Sequence, residues 1–220
     1  MRSSLLVVLL VLPLASAQDC PTQKMNSAGR KSILDRHNAL RSSNALGKEK
    51  DNSTGQNAPS ASNMYKMVYD CELERIAQAW ADRCEFNHSP PNVRNAGENL
   101  FMRRPTVQDD SPLVAAADSW WGELTNIGVG KVSPTLALTD ALWKTNVGHY
   151  TQMAWATSTQ LGCGHAKCPT MNIVVCNYRD QGNMMGQKIY EAGPPCAKDA
   201  DCTAIANSRC SVAEGLCIKP

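Results

Sequence analysis

The sequence predicts a mixed α+β fold, in which helices cover a small sheet, followed by a small disulfide-rich tail. Segments with helical spacing of apolar residues alternate with a few short runs rich in β-branched residues, a pattern that favours a layered α/β/α or mixed domain over a helix bundle or an all-β sandwich. The chain has ten cysteines, and four of them fall in the last 25 residues. A segment of that length cannot bury a core of its own, so it needs disulfide cross-links to hold its fold.

The first helix is predicted from about Ser27 to Leu46, and Gly47 can end it. Its buried stripe is formed by residues at helical spacing, namely Ile33, Leu34, His37, Leu40 and Arg41. The following segment, Lys48 to Asn63, is polar and rich in Asn, Ser and Gly, which is typical of a loop. Within it, Asn52-Ser53-Thr54 predicts N-glycosylation at Asn52.

Two further helices carry start signals. Asp70 is the expected N-cap of the second, and its buried face is Leu73, Ile76, Ala77, Trp80 and Cys84. Ser111 is the expected N-cap of the third, with Pro112 in the first turn and a face of Leu113, Ala116, Ala117, Trp120 and Leu124. Both apolar faces require a common core.

Three short strands are predicted, over Glu98 to Met102, Gly162 to Ala166 and Ile173 to Asn177. The composition changes after Gly193-Pro194-Pro195, where cysteines become dense. We therefore expect one main domain over residues 18–192 and a small tail over residues 193–220.

The N-terminus has the features of an export signal over residues 1–17. Arg2 precedes an apolar run from Leu5 to Leu14, and Ala15-Ser16-Ala17 supplies small residues for cleavage. A run of about ten residues is too short to span a bilayer, which needs about twenty. The sequence therefore predicts a secreted chain without a membrane span.

Cysteine usage agrees with an oxidising extracellular environment, because ten thiols on an exported chain can all pair. No C-x-x-C motif is present, which argues against a zinc ribbon or a thioredoxin-like site. The formal net charge is only +2, with no long run of Lys and Arg, so nucleic acid is not an expected partner.

Four blocks of the sequence resemble the CAP superfamily (SCP/TAPS), and most closely the activation-associated, Ancylostoma-type secreted proteins of parasitic nematodes. The segment from Gly148 to Trp155, GHYTQMAW, looks like one family signature, and Val174 to Tyr178 with Gly182-Asn183 is similar to another. The segments CEFNHS from Cys84 and GENL from Gly97 resemble two further blocks, in the expected order. The resemblance extends from about Ser27 to Tyr190.

The resemblance implies the CAP fold, an α/β/α sandwich around an antiparallel sheet, with a groove that holds two histidines and two acidic residues. Carried over block by block, this tetrad is His88, Glu98, Glu123 and His149. From the residues alone, His88 is a loop or cap residue and Glu123 a solvated helix position. His37 and His165 match no site position and are interpreted as structural, and the five tryptophans as core residues.

The family pattern also implies a disulfide framework and a hinge-like tail. The pairs it suggests are Cys84 with Cys168, Cys163 with Cys176, Cys196 with Cys210 and Cys202 with Cys217, which leaves Cys20 with Cys71. The tail resembles the hinge of cysteine-rich secretory proteins without the ion-channel regulatory domain that follows it there.

The function implied by the resemblance is that of a secreted, non-enzymatic protein acting on host cells or host immunity, through an unidentified host protein or receptor. Two alternatives remain open, a sterol or fatty-acid binding and export protein, and a metal-dependent hydrolase. No H-E-x-x-H, G-x-S-x-G or P-loop motif is present, so catalysis is the minority interpretation. We expect His88 and His149 to bind a divalent cation such as zinc weakly, and a homodimer is compatible with the sequence.

Overall fold

The structure is a computed structural model that describes residues 20–21 and 24–220, so the predicted signal peptide at residues 1–17 lies outside the described residues. The helices are α1 (Ser27–Ala45), α2 (Cys71–Ala81), α3 (Pro91–Arg94), α4 (Ser111–Asn126), α5 (Asp140–Trp143) and α6 (Gly148–Met153). The strands are β1 (Val68–Tyr69), β2 (Gly97–Arg103), β3 (Gln160–Lys167), β4 (Asn172–Arg179), β5 (Arg209–Ser211) and β6 (Leu216–Ile218). None of the described helices combines the length and the apolar character needed to cross a bilayer.

The main sheet has four strands in the order β1-β3-β4-β2. β2, β4 and β3 pair antiparallel, with Glu98 and Gly162 on either side of Asn177. β1 pairs parallel to β3 through only two residues. The expectation of a purely antiparallel sheet is therefore corrected at this edge. The sequence pattern did not predict β1, because a strand of two residues, Val68–Tyr69, is too short to show an alternating pattern.

Helices cover both faces of the sheet, as the fold prediction requires. α2 packs on one face over an apolar cluster that contains Ala77, Ala81, Leu100, Ile173 and Val175. α1 and α4 cover the other face, where the larger core includes Ile33 and Trp120. The contact of α2 with β3 depends on Gly164, because a Cβ there would lie 2.4 Å from the Gln78 backbone. The prediction of an α/β/α sandwich is confirmed.

Capping groups set the helix boundaries. The Asp70 carboxylate accepts a hydrogen bond from Leu73 N at 2.8 Å, as expected of an N-cap. The expectation that Ser111 caps α4 is wrong by one residue. Ser111 is already helical and Asp110 occupies the cap position, because the Asp109 carboxylate accepts the Ser111 N–H at 3.0 Å and turns the chain one residue earlier.

A buried cation, Arg41 of α1, joins the helix to the segment that follows α6. Its guanidinium is fully buried and donates to five backbone carbonyls, those of Tyr65, Met153, Trp155, Ala156 and Ser158. Burial lowers the pKa of Arg41 to about 9. Arg41, which the sequence placed on the buried stripe of α1, thus holds the end of α6 through backbone carbonyls.

Five disulfides cross-link the described chain. Four are the pairs that the family resemblance implied, Cys84–Cys168, Cys163–Cys176, Cys196–Cys210 and Cys202–Cys217, and the fifth is the remaining pair, Cys20–Cys71. The last two hold the tail around the β5–β6 hairpin. The tail packs on Tyr65, which is buried among its cysteines, and Leu216 of β6 joins the main core. The tail therefore contributes to the core, although it has few apolar residues of its own.

Candidate functional site

A cavity of about 480 Å³ opens where β2, α5, α6 and the segment after β4 meet. Most of the residues that line it are polar, and they include two histidines and five side-chain amides. The lining consists of His88, Arg94, Gly97, Glu98, Asn99, Trp143, Asn146, Gly148, His149, Gln152, Gln181, Gly182 and Asn183.

One side of the cavity is formed by His88 and Glu98. His88 lies in the loop that follows α2, and its side chain is 57% exposed, whereas the side chain of Glu98, the second residue of β2, is fully buried. His88 Nδ1 lies 2.8 Å from Glu98 Oε1. The same carboxylate accepts from Ser89 N at 2.9 Å and from Ser89 Oγ at 2.6 Å. A buried carboxylate with these donors holds the imidazole ring at a fixed orientation.

A second part of the cavity is formed by His149, the second residue of α6, together with Glu123 of α4. His149 Nδ1 lies 2.5 Å from Glu123 Oε1, and Tyr150 N donates to Glu123 Oε2 at 2.9 Å. The His149 ring also stacks on Trp120, with 6.2 Å between the ring centroids. The Glu123 side chain is only 15% exposed, so its interpretation from the residues alone, as a solvated helix position, is wrong.

The two histidine–carboxylate pairs have the same arrangement. In each, the carboxylate accepts a hydrogen bond from Nδ1, so the proton is held on Nδ1 and Nε2 is the nitrogen left for a ligand. Neither Nε2 has a hydrogen-bond partner among the residues that the structure describes, and both rings line the cavity. Neutral imidazole nitrogens of this kind are ligands for a divalent cation.

The arrangement limits the number of direct protein ligands. Across residues 20–21 and 24–220, one group of three potential ligands has its ligand atoms within 4.8 Å of one another, Cys196, Cys202 and Cys210. All three are disulfide-bonded and are therefore not available to a metal. The tetrad can supply two imidazoles, with the carboxylates as their hydrogen-bond partners, and the remaining coordination positions must come from water or a ligand.

Two histidines lie outside the cavity, as the sequence interpretation expected. His37 is completely buried, with Nδ1 2.8 Å from the Ile33 carbonyl and Nε2 3.0 Å from the Tyr178 hydroxyl. Burial lowers the pKa of His37 to about 4. His165 contacts Asp110 and Asn172, and burial lowers its pKa as well.

Sequence reasoning missed two contributors to the cavity. The Asn99 amide donates to the His149 carbonyl at 3.1 Å and to the Tyr178 hydroxyl at 3.2 Å, and so links the site to the core. The prediction that all the tryptophans fill the core is wrong for Trp143, which is 46% exposed and lines the cavity. The short helix that carries Trp143 spans four residues, too few to show a periodic pattern.

Comparisons with known proteins identify the family. A sequence model of the family described as "CAP: Cysteine-rich secretory protein family" matches residues 34–178. The chain is 42% identical over 209 residues to Ancylostoma secreted protein of Ancylostoma caninum, an alignment that covers 92% of this chain and 47% of that protein. It is 35% identical over 180 residues to human cysteine-rich secretory protein 2, covering 76% of this chain and 63% of that protein. The chain thus spans about half the length of the Ancylostoma caninum relative.

Solved structures of similar proteins have the same fold as this chain. A crystal structure of NaASP2 with Zn2+ superposes with a TM-score of 0.81 at 44% sequence identity, covering 90% of this chain and 100% of that one. The structure of BmVAL-1 superposes with a TM-score of 0.85 at 35% identity, covering 92% of this chain and 100% of that one.

Proposed function

The chain belongs to the CAP family of cysteine-rich secretory proteins, and from this premise we propose that it is a secreted, non-enzymatic protein that acts outside the cell through its polar cavity. In that cavity His88 and His149 hold a weakly bound divalent cation, with zinc as the preferred ion. We infer that the protein is secreted by a parasitic nematode and acts on host cells or host immunity. The 42% identity to the secreted protein of Ancylostoma caninum supports this inference.

The observation that carries the cation site is the pair of matched histidine–carboxylate contacts. His88 with Glu98 and His149 with Glu123 each fix a ring through Nδ1 at 2.8 and 2.5 Å, and each ring lines the cavity. A metal-binding histidine usually donates a hydrogen bond from the N–H of its other ring nitrogen to a carboxylate or carbonyl. This hydrogen bond orients the ring and makes the ligating nitrogen more basic. The donor set therefore fits zinc, which accepts imidazole nitrogen readily. A bound cation would supply positive charge and open coordination positions for a ligand.

Two direct ligands support weak, reversible binding, since structural zinc sites use four. The five disulfides and the core already hold the fold. Chelation should therefore remove the cation without unfolding the protein, and acid should also release it because only neutral imidazole binds metal.

The lining of the cavity supports a binding role over catalysis. Among the described residues, those that line it include no serine, threonine, cysteine or lysine, which are common covalent nucleophiles. The Glu98 carboxylate is already an acceptor for three donors from His88 and Ser89. A screen against peptide and ester substrates should give no turnover. Turnover that disappears in His149→Ala would instead establish the metal-dependent hydrolase.

Zinc titration by calorimetry tests the cation site. Wild type should bind one zinc per chain, and His88→Ala/His149→Ala should bind none. His165→Gln is the matched control, because this histidine lies outside the cavity, and it should bind zinc like wild type. Equal uptake by wild type and the double variant, or no uptake by either, would remove the cation from the proposal.

A second candidate function is carriage of a fatty acid or sterol, and a separate groove favours it. This groove of about 490 Å³ lies between α1, β1 and the end of the tail. Its apolar lining includes Leu34, Met67, Val68, Tyr69 and Ile218. Native mass spectrometry after incubation with palmitate or cholesterol tests it. Uptake that is reduced in Val68→Asp would support lipid carriage, and the absence of any adduct would exclude these two ligands.

A further inference from the structure

Trp143 differs from the other tryptophans in its surroundings. Trp80, Trp120 and Trp121 donate their indole N–H groups to protein acceptors, and Trp155 is 4% exposed. Trp143 is 46% exposed, and its indole N–H has no acceptor among the residues that the structure describes. The exposed ring of Trp143 offers a flat apolar surface to a ligand that enters the cavity.

The position of the Trp143 ring is fixed by its neighbours. Thr139 caps α5 by accepting from Leu142 N at 3.2 Å. A Cβ placed on Gly148 would lie 3.1 Å from Trp143 Cζ3 and 3.3 Å from Cη2, so part of the ring lies against the backbone at Gly148. The next residue in the chain is His149 of the tetrad. The apolar surface of Trp143 therefore adjoins the tetrad at a defined place in the same cavity.

Two side-chain amides in the cavity are available to a ligand. Asn146 and Gln181 are exposed, line the cavity, and make no side-chain hydrogen bond to any described residue. The other three amides serve the scaffold. Asn99 donates to His149 O, Gln152 accepts from Gly182 N, and Asn183 donates to Gly148 O. An amide carries both donors and an acceptor, so it can match a hydroxyl group in either role.

Without a bound cation, the protein charges around the cavity favour a neutral ligand. Glu98 is occupied by His88 and Ser89, and Arg94 donates to the carbonyls of Ser89 and Ala96. Arg94 Nη1 also lies 3.9 Å from Glu98 Oε1, so the two opposite charges offset each other. The abundance of polar groups is also unsuited to a fatty acid, whose pocket would be predominantly apolar. A ligand with many hydroxyl groups and one apolar face satisfies both conditions.

We propose that Trp143, Asn146 and Gln181 form a subsite for a neutral sugar ring. The C–H groups on one face of a pyranose form an apolar surface that packs on the exposed indole, and the hydroxyls at the ring edge pair with the two amides. This inference deepens the proposed function by naming the ligand class of the same cavity, a glycan outside the cell. It uses residues outside the tetrad, so sugar binding and zinc binding can be measured separately.

Saturation-transfer NMR and tryptophan fluorescence titration with chitotriose, mannotriose and lactose test the subsite, with a heparin tetrasaccharide as the anionic comparison. At least one neutral oligosaccharide should bind at millimolar concentration, both in EDTA and in zinc. Trp143→Ala should weaken it by about tenfold or more, as for buried aromatic anchors in other interfaces, and Trp143→Phe should retain most of the affinity. Val212→Ala, an exposed apolar residue of the tail, is the control that should change nothing.

The alternative outcomes each overturn the proposal. They are no binding of the neutral sugars in either condition, binding that Trp143→Ala leaves unchanged, and binding of the heparin fragment alone. Loss of zinc binding in His88→Ala/His149→Ala, with sugar binding in EDTA retained, would confirm the subsite independently of the cation. A melting temperature close to that of wild type shows that Trp143→Ala remains folded.

Discussion

The guanidinium of Arg30 and the carboxylate of Glu74 form a buried ion pair that joins α1 to α2, with Nε 2.6 Å from Oε2 and Nη2 3.0 Å from Oε1. Their side chains are 4% and 0% exposed. Arg30 Nη2 also lies 3.4 Å from the carbonyl oxygen of Cys20, next to the Cys20–Cys71 disulfide. The pair therefore fixes both helices and the start of the described chain at one point.

Glu74→Gln should lower the free energy of unfolding by about 3–5 kcal/mol, because it leaves the Arg30 charge buried beside a neutral group. Glu72→Gln is the control on the same helix. Glu72 pairs with Arg75 at the surface, where both side chains are more than half exposed, and its loss should cost at most about 1 kcal/mol. Urea unfolding of both variants measures the difference. Equal effects would show that the buried pair does not stabilise the fold.

His37 should make stability depend on pH in the acidic range. Burial lowers its pKa from 6.5 to about 4, so the unfolded chain binds a proton there before the folded protein does. The stability that this neutral histidine contributes is complete above pH 6.5 and is lost as the pH falls towards 4. Between pH 7 and pH 4, the free energy of unfolding of His37→Gln should therefore fall by roughly 3 kcal/mol less than that of wild type. Urea unfolding at the two pH values measures this, and Val212→Ala, at an exposed apolar position of the tail, should retain the wild-type dependence.

A chain that ends at Ala192 should be less stable than the full chain by at least about 2 kcal/mol. Leu216 and Cys217 are 0% and 1% exposed, and Cys217 N donates to Met64 O at 2.8 Å, so removal of the tail uncovers the core at Tyr65. Thermal unfolding measures the effect. Val212→Ala, which alters an exposed residue of the tail, should change stability by less than about 0.5 kcal/mol. An unchanged melting temperature after truncation would show that the tail is an independent appendage.

Glu123→Gln should weaken zinc binding by about 10–100-fold while the fold remains intact, because the amide no longer supplies a charged acceptor for His149 Nδ1. Asp118→Asn is the control on the same helix, at an exposed carboxylate that pairs with Arg36 outside the cavity. Calorimetry at neutral pH gives both affinities. The same affinity in Glu123→Gln as in wild type would mean that this carboxylate does not support the ligand.

Asn52 should carry an N-linked glycan when the protein is secreted from a eukaryotic cell, since it is exposed in a loop and begins an Asn-x-Thr sequon. Asn52→Gln should remove a glycosidase-sensitive mass that wild type shows in mass spectrometry. The second sequon, at Asn87, is followed by Pro90 and should remain unmodified. Glycan retained in Asn52→Gln would place the modification at Asn87.

Local signals in the sequence determined the long elements of the fold. The Asp70 cap and the helical spacing after it located α2, and the β-branched run from Ile173 located β4. These predictions succeed because capping and periodicity depend on neighbouring residues. The helices α3, α5 and α6, of four to six residues, are too short for a periodic pattern, and the sequence alone did not show them.

Family resemblance, and not spacing, selected the residues of the tetrad, which lie in four separate segments. Only the tertiary structure decided that Glu98 is buried against His88 and that Glu123 is withdrawn from solvent beside His149. It also placed Trp143 in the cavity while the other tryptophans stayed in or near the core. The physical reason is that burial and side-chain contact depend on which distant segments pack together, whereas a sequence pattern records only the neighbours of each residue along the chain.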